Sequence, residues 1–233
     1  MENKILPAHV SIIMDGNGRW AKERGKERVY GHFEGVESVR ACTEAAAQMG
    51  VKYLSLFAFS EENWGRPEQE VMTLMELMVK CMVGEMDTFM KNNIRFMVIG
   101  NKARLSDELN KVIEDSMQKT ASNTGLTLIV MLSYSGKWDI LQAAEKYAKA
   151  LTEGKIEPSS EVFASFLVTD GIPDPDLIIR TSGECRLSNY FLWQGAYSEL
   201  LFTDVLWPDF RKDEFAAALE EYAKRDRRYG KVK

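Results

Sequence analysis

The chain has 233 residues, 45% hydrophobic and 28% charged, with a formal net charge of −5 at pH 7. That length buries a full core in one domain without disulfides or a structural metal, and the composition excludes a disordered tail, a collagen-like rod and a cysteine-stapled secreted miniprotein. The acidic balance excludes bulk attraction to nucleic acid, so an anionic ligand has to be held by locally clustered arginines.

In chain order, the opening segment Met1 to Pro7 carries no apolar leader, and no later run reaches the eighteen apolar residues of a membrane span. Cys42, Cys81 and Cys185 form no CxxC pair, which suits a reducing, cytoplasmic setting. Apolar runs at 9–14 (HVSIIM), 53–59 (YLSLFAF), 94–99 (IRFMVI), 126–132 (LTLIVML) and 177–179 (LII) predict buried strands. Amphipathic stretches at 35–48, 68–91, 106–122, 139–151 and 212–227 predict the helices. The alternation implies an α/β fold with a mostly parallel central sheet flanked by helices. No repeat or long linker interrupts it, so residues 1–233 are read as a single domain with a basic tail at 224–233. Strand order is not legible from the pattern.

Ligands of open α/β sheets bind outside the carboxyl ends of the strands. The residues that follow the predicted strands are Asp15-Gly16-Asn17-Gly18-Arg19-Trp20, Ser60-Glu61-Glu62-Asn63-Trp64-Gly65-Arg66, Ser133-Tyr134-Ser135-Gly136, and Arg180-Thr181-Ser182-Gly183-Glu184-Cys185-Arg186-Leu187-Ser188. Polar groups therefore gather at one rim. Gly16-x-Gly18-x-x-Ala21 resembles a dinucleotide turn, but the acidic residue expected about twenty positions later is missing, and no Walker A motif exists. Asp15 beside a glycine turn fits a different chemistry. A carboxylate there would repel a phosphate unless a divalent cation lay between them, and Mg²⁺ takes one or two carboxylates plus phosphate oxygens. Asp15, Gly16, Gly18 and Arg19 thus read as a diphosphate–Mg²⁺ seat, with Arg28 and His32 as further donors. Arg180, Arg186 and Ser188 form a second anion site. Two sites and a metal imply either two phosphorylated substrates or one long polyphosphate. Met72, Met75, Met78, Met82, Met86 and Met90 recur at helical spacing, as either a core face or a wall for a flexible apolar chain.

Long stretches of the chain resemble the cis-prenyltransferases, the undecaprenyl diphosphate synthase type above all. They are the run from His9 to Ala21, the run from Phe59 to Pro67, Asn123 to Leu128, Ile179 to Glu184, Arg186 to Asn189, and Glu199 to Pro208. The resemblance implies a tunnel-bearing α/β fold and a Mg²⁺-dependent homodimer that adds isopentenyl diphosphate units to an allylic primer, farnesyl diphosphate, with cis geometry. The implied product is a long polyprenyl diphosphate, undecaprenyl diphosphate, the lipid carrier precursor for the cell wall. A non-catalytic partner subunit of a two-component enzyme is the alternative. Position by position, the resemblance implies that Asp15 is the essential acid and Mg²⁺ ligand. Gly16, Asn17, Gly18, Arg19, Trp20, Arg28 and His32 would hold the primer. Asn63 would relay or position the transferred proton within the Ser60, Glu61, Glu62, Trp64 and Arg66 pocket. Arg180, Arg186, Leu187 and Ser188 would bind isopentenyl diphosphate, and Glu199 would be a second metal carboxylate. It also makes the methionine helix a tunnel wall, with Met86 a length-setting position. Cys185 stands where many members have a histidine, which removes a histidine from the metal's surroundings. Arg228-Tyr229-Gly230 resembles the family's ending that reaches across the dimer. A product this apolar has to be handed to lipid, so peripheral contact with the inner face of the plasma membrane is expected.

Overall fold

The computed structural model describes residues 6–227, so Arg228-Tyr229-Gly230 and the rest of the terminal tail lie outside the described residues. Six strands form one sheet: β1 (His9–Ile13), β2 (Tyr53–Ser60), β3 (Arg95–Ile99), β4 (Thr127–Tyr134), β5 (Leu177–Arg180) and β6 (Glu199–Phe202). Every pairing is parallel and the spatial order is β3-β4-β2-β1-β5-β6. The five predicted strands are all present. β6 has no counterpart in the sequence reading, because four residues at a sheet edge alternate between half-buried and exposed and leave no continuous apolar run.

The helices are α1 (Asn17–Glu23), α2 (Arg28–Met49), α3 (Glu68–Gly84), α4 (Met86–Lys91), α5 (Asp107–Thr120), α6 (Gly136–Thr152), α7 (Ser160–Ala164) and α8 (Lys212–Ala223). α2 starts seven residues earlier than the pattern predicts. Gly31 and Gly35 look like helix breakers by propensity, yet they are a packing face. A Cβ at Gly31 would sit 1.9 Å from the carbonyl oxygen of Asn17, and one at Gly35 would sit 2.6 Å from Asn17 Oδ1. The missing side chains let α1 lie directly against α2. The predicted helix over 68–91 is two helices, interrupted at Glu85.

Period-two alternation sends β4 side chains to two cores. Leu128 and Leu132 join the larger cluster, shared with α2, α3, α5 and α8, whereas Ile129 and Met131 join a smaller one with Tyr134, Tyr190 and Phe191. The methionine stripe is therefore not one surface. Met82 is buried, Met75, Met78 and Met86 are partly buried, and Met72 and Met90 are exposed. Among the described residues, no helix is long and apolar enough to cross a membrane.

Candidate active site

The sheet order supplies the geometry that the sequence lacked. β1 lies between β2 and β5, with Ile13 opposite both Phe57 and Arg180. The turn after β1 is thereby placed beside the end of β5, although about 165 residues separate them in the chain. Gly16, at φ 109°, makes the left-handed turn into α1, a conformation that side chains strongly disfavour. Asp15 Oδ2 accepts a hydrogen bond from Arg180 Nη2 at 2.9 Å, and its backbone is tied to Thr181 in both directions, at 2.9 and 2.6 Å. Burial opposes ionisation of Asp15, but hydrogen bonds from Arg180 and Ser182 and the charges of Arg180 and Arg19 outweigh it, holding the carboxyl below its ordinary range.

Each arginine of the rim rests on a carboxylate or a carbonyl. Arg180 is buried, and its Nη1 donates to Arg186 O at 2.6 Å and to Ser188 Oγ at 2.7 Å. Arg19 donates to the carbonyl of Ser182 at 2.9 Å and lies 3.7 Å from Asp15 and 3.6 Å from Glu184. Glu184 also takes Arg186. Glu70 sits 3.2 Å from Arg66 and 3.8 Å from Arg28. His32 lies in the same group. Burial, with Arg66 and Arg28 adding repulsion that outweighs the pull of Glu70, lowers its pKa to about 4, so the ring is neutral at physiological pH.

These groups ring the mouth of a cavity of about 740 Å³, within the range of roughly 300–1,000 Å³ that encloses small-molecule ligands. Its depth is apolar, lined by Leu56, Val98 and Val130 from the sheet and by Leu74, Leu77, Met78, Cys81 and Met82 from α3. Six buried polar side-chain atoms among the described residues lack a partner, and three of them, Asn17 Oδ1, His32 Nε2 and Arg180 Nε, belong to residues that line this cavity. Unsatisfied buried polar atoms are costly, and half of those among the described residues belong to residues of this lining.

Of the predicted site residues, Asp15, Gly16, Asn17, Gly18, Arg19, Arg28, His32, Ser60, Glu62, Asn63, Arg66, Arg180 and Ser188 line the cavity. The others stand outside its lining, with other work to do. Trp20 is buried, donates to Asp209 at 2.7 Å and stacks on Tyr30 beneath Arg24. Glu61 and Trp64 meet at Ser133 Oγ, which accepts from the indole at 2.8 Å and donates to Glu61 at 2.8 Å, clamping the Glu61–Gly65 turn onto the end of β4. Leu187 packs on the smaller core, and Arg186 is largely exposed, turned to Glu184. Met86 packs against the larger core without lining the cavity, and α4 reaches the lining through Phe89 instead.

Glu199 is the clearest displacement. It begins β6 opposite Leu177, three residues before the level of Arg180, and pairs with Arg225 at 3.0 Å. At about 3.3 Å per residue it lies roughly 15 Å from Asp15 along the strands. One chain cannot bring both carboxylates to one ion. Among the described residues no group of three His, Cys, Asp or Glu side chains is arranged to hold a metal. The glycine turn instead offers the Asp15 carboxylate, which fits Mg²⁺ when phosphate oxygens supply the remaining ligands.

Sequence reasoning missed Glu70, Glu184, Ser182 and Asn189. Glu70 lies in the first turn of α3, and the extended Arg66 just before the helix folds back onto it, a pairing that four-residue spacing alone only hints at. Asn189 and Ser182 had no such signal, because their roles come from strand adjacency and from left-handed backbone at φ 63° and 78°.

An α/β protein with an arginine-rich mouth over an apolar pocket has the make-up of an enzyme that handles amphipathic phosphate esters. The chain belongs to the cis-prenyltransferase family: residues 13–230 match the family described as "Putative undecaprenyl diphosphate synthase". The chain is 49% identical over 231 residues to the isoprenyl transferase of Chlorobaculum tepidum, covering 98% of this chain and 87% of that protein. It is 47% identical over 233 residues to the Vibrio cholerae ditrans,polycis-undecaprenyl-diphosphate synthase described as (2E,6E)-farnesyl-diphosphate specific, covering 99% and 93%. The solved lavandulyl diphosphate synthase of Lavandula x intermedia, in complex with dimethylallyl diphosphate, superposes with a TM-score of 0.94 at 36% identity over 97% of this chain and 99% of that one.

Proposed function

We propose that this protein elongates a farnesyl diphosphate primer with isopentenyl diphosphate to give undecaprenyl diphosphate, each step creating a cis double bond. The supporting observation is the single cavity that joins an arginine-rich rim to an apolar depth. The apolar wall takes the prenyl chain, and the rim takes two diphosphates, the primer's at Gly16 to Arg19 with Arg28, His32 and Arg66, and that of isopentenyl diphosphate at Arg180, Arg186 and Ser188. In each round the allylic C–O bond breaks with its electron pair leaving on diphosphate. The terminal alkene carbon of isopentenyl diphosphate attacks the allylic cation, and a neighbouring carbon loses a proton. Arginines already fixed in place stabilise the departing charge most in the transition state, and the apolar depth keeps water from the cation. Asn63 Oδ1 accepts the N–H of Ser60 at 3.1 Å. Its amide is thus oriented to donate through Nδ2, which suits holding a diphosphate, and the released proton passes to a phosphate oxygen.

Asp15 would hold Mg²⁺ together with diphosphate oxygens, and the ion would supply charge neutralisation to the leaving group. Glu199 joins that role only from a second copy of the chain. A homodimer accords with the edge strand β6, where Leu200 and Phe202 are each 37% exposed beside Tyr197 at 70%. Light scattering should give twice the 26.5 kDa chain mass. Peripheral membrane contact is checked by co-sedimentation with anionic vesicles during turnover.

The deciding experiment incubates the protein with farnesyl diphosphate, labelled isopentenyl diphosphate and Mg²⁺, with and without EDTA, and measures product length. An EDTA-sensitive C55 product is expected. A shorter ladder keeps the reaction and rejects the product. No incorporation by folded protein rejects the enzyme in favour of a partner subunit.

A further inference from the structure

Ser188, Asn189 and Phe191 all carry positive φ, at 50°, 63° and 40°, so three of four successive residues after Leu187 are held in the left-handed region. Non-glycine residues rarely go there, asparagine most readily, and such a cluster persists only where its surroundings over-determine it. Asn189 is what determines it. Its backbone oxygen accepts the N–H of Gly136 at 2.6 Å, its Oδ1 accepts the N–H of Lys137 at 2.9 Å, and its Nδ2 donates to Glu62 Oε1 at 2.6 Å. Gly136 itself admits no side chain, since a Cβ would meet Leu192 at 2.7 Å.

Three segments that are far apart in sequence therefore meet on one amide: the start of α6, the Glu61–Gly65 turn that carries Asn63, and the loop that presents Ser188 to Arg180. The Asn189–Glu62 contact is the one hydrogen bond between the last two segments among the described residues. Burial works against the Glu62 carboxylate, but hydrogen bonds, that of Asn189 foremost, keep it ionised below its ordinary range. The contact is thus charge-assisted and spans the mouth of the cavity that both residues line.

We propose that Asn189 is a positioning residue for the isopentenyl diphosphate subsite, holding the Arg180–Ser188 anion site and the Asn63 turn at a fixed separation through its bond to Glu62. This rests on the partition of the two diphosphates given above. Asn189 itself binds no reacting atom. It fixes the distance between the group that anchors the incoming unit and the turn that faces it.

The test is a charge swap read by the KM of each substrate. Asn189→Asp keeps an acceptor for Lys137 N–H but sets a carboxylate against Glu62. It should raise the KM for isopentenyl diphosphate about tenfold, the scale of a lost hydrogen bond to a charged group, and leave that for farnesyl diphosphate within about twofold. Asn189→Asp with Glu62→Gln restores a donor–acceptor pair in the reverse sense and should recover most of the loss. Glu62→Ala, which leaves the left-handed backbone untouched, should reproduce the selective rise if the first variant folds poorly. Unchanged KM values in folded Asn189→Asp, or a melting-temperature loss that the double variant restores without a KM effect, would overturn the positioning role. A rise confined to farnesyl diphosphate, rescued by the swap, would instead overturn the partition of the subsites on which the proposal stands.

Discussion

The two ends of the sheet carry the same residue types and use them in opposite ways. At the amino-terminal end His9 is buried with both ring nitrogens engaged, Nδ1 with Pro173 O at 2.6 Å and Nε2 with Ser55 Oγ at 2.7 Å. Asp176 there accepts the N–H groups of Ala8 and His9, at 2.8 and 3.1 Å, and pairs with Arg227, while Glu199 pairs with Arg225. At the carboxyl end His32 keeps an unpartnered Nε2, Arg180 an unpartnered Nε, and the Asp15–Arg180 pair faces a cavity. Histidine, aspartate and arginine at a strand end do not define a site. The cavity that such residues line at the carboxyl end does.

The comparison is broken most directly by removing one aspartate from each end. Asp15→Ala should lower kcat by about 10³-fold or more, as loss of an electrostatic contact to developing charge does, with the melting temperature falling only a few degrees. Asp176→Ala should leave kcat within about twofold and cost about 2–4 kcal/mol in urea denaturation, since it strips an acceptor from two backbone donors and a cation. If Asp176→Ala cost activity instead, the amino-terminal end would not be a purely structural layer.

Acid sharpens the same contrast. Burial, partly offset by the Pro173 carbonyl and Asp176, lowers the pKa of His9 to about 4. The unfolded ring protonates near 6.5, so between those values the unfolded state binds more protons. The contribution is complete above about pH 6.5 and is lost as pH falls through about 4, up to about 3 kcal/mol. His9→Gln should flatten that part of a stability-versus-pH curve, and an unchanged slope would place the titration elsewhere.

Gly31→Ala pushes a Cβ onto the Asn17 carbonyl and should cost about 1–3 kcal/mol by overpacking, measured by thermal melting. It should also raise the KM for the primer, because α1 and its glycine turn must shift. In the wall, Met82→Trp should shorten the product at nearly unchanged initial rate, whereas Met86→Trp should leave chain length as it is. Equal shortening by both would return Met86 to the tunnel wall.

How far the sequence could be read follows from what each feature depends on. The strand runs and the rim loops were legible, because apolar runs and glycine turns are local, and those loops supply the charged part of the cavity lining. The Asp15–Arg180 pair was not, since it needs β1 beside β5, and strand order leaves no local mark. Nor did the sequence show that Glu199, given a metal role by the resemblance, lies at the opposite end of its own sheet from Asp15. Trp20 and Trp64 were given ligand roles by the resemblance alone, and no local pattern showed that their indole N–H groups are engaged by Asp209 and by Ser133. Periodicity found the methionine stripe but not the interruption at Glu85, which moves Met86 off the wall.

That interruption has a consequence for how such a protein changes over generations. The rim is a web in which Asp15, Arg180, Ser188 and Asn189 share partners, so one substitution is felt by several groups. Beyond Glu70 in its first turn, α3 meets it as a lining, as does α4, the two helices joined at Glu85. Side chains there are free to drift in bulk while the chemistry stays fixed. In a scaffold so divided, single substitutions in the lining should change product length with the rim left intact.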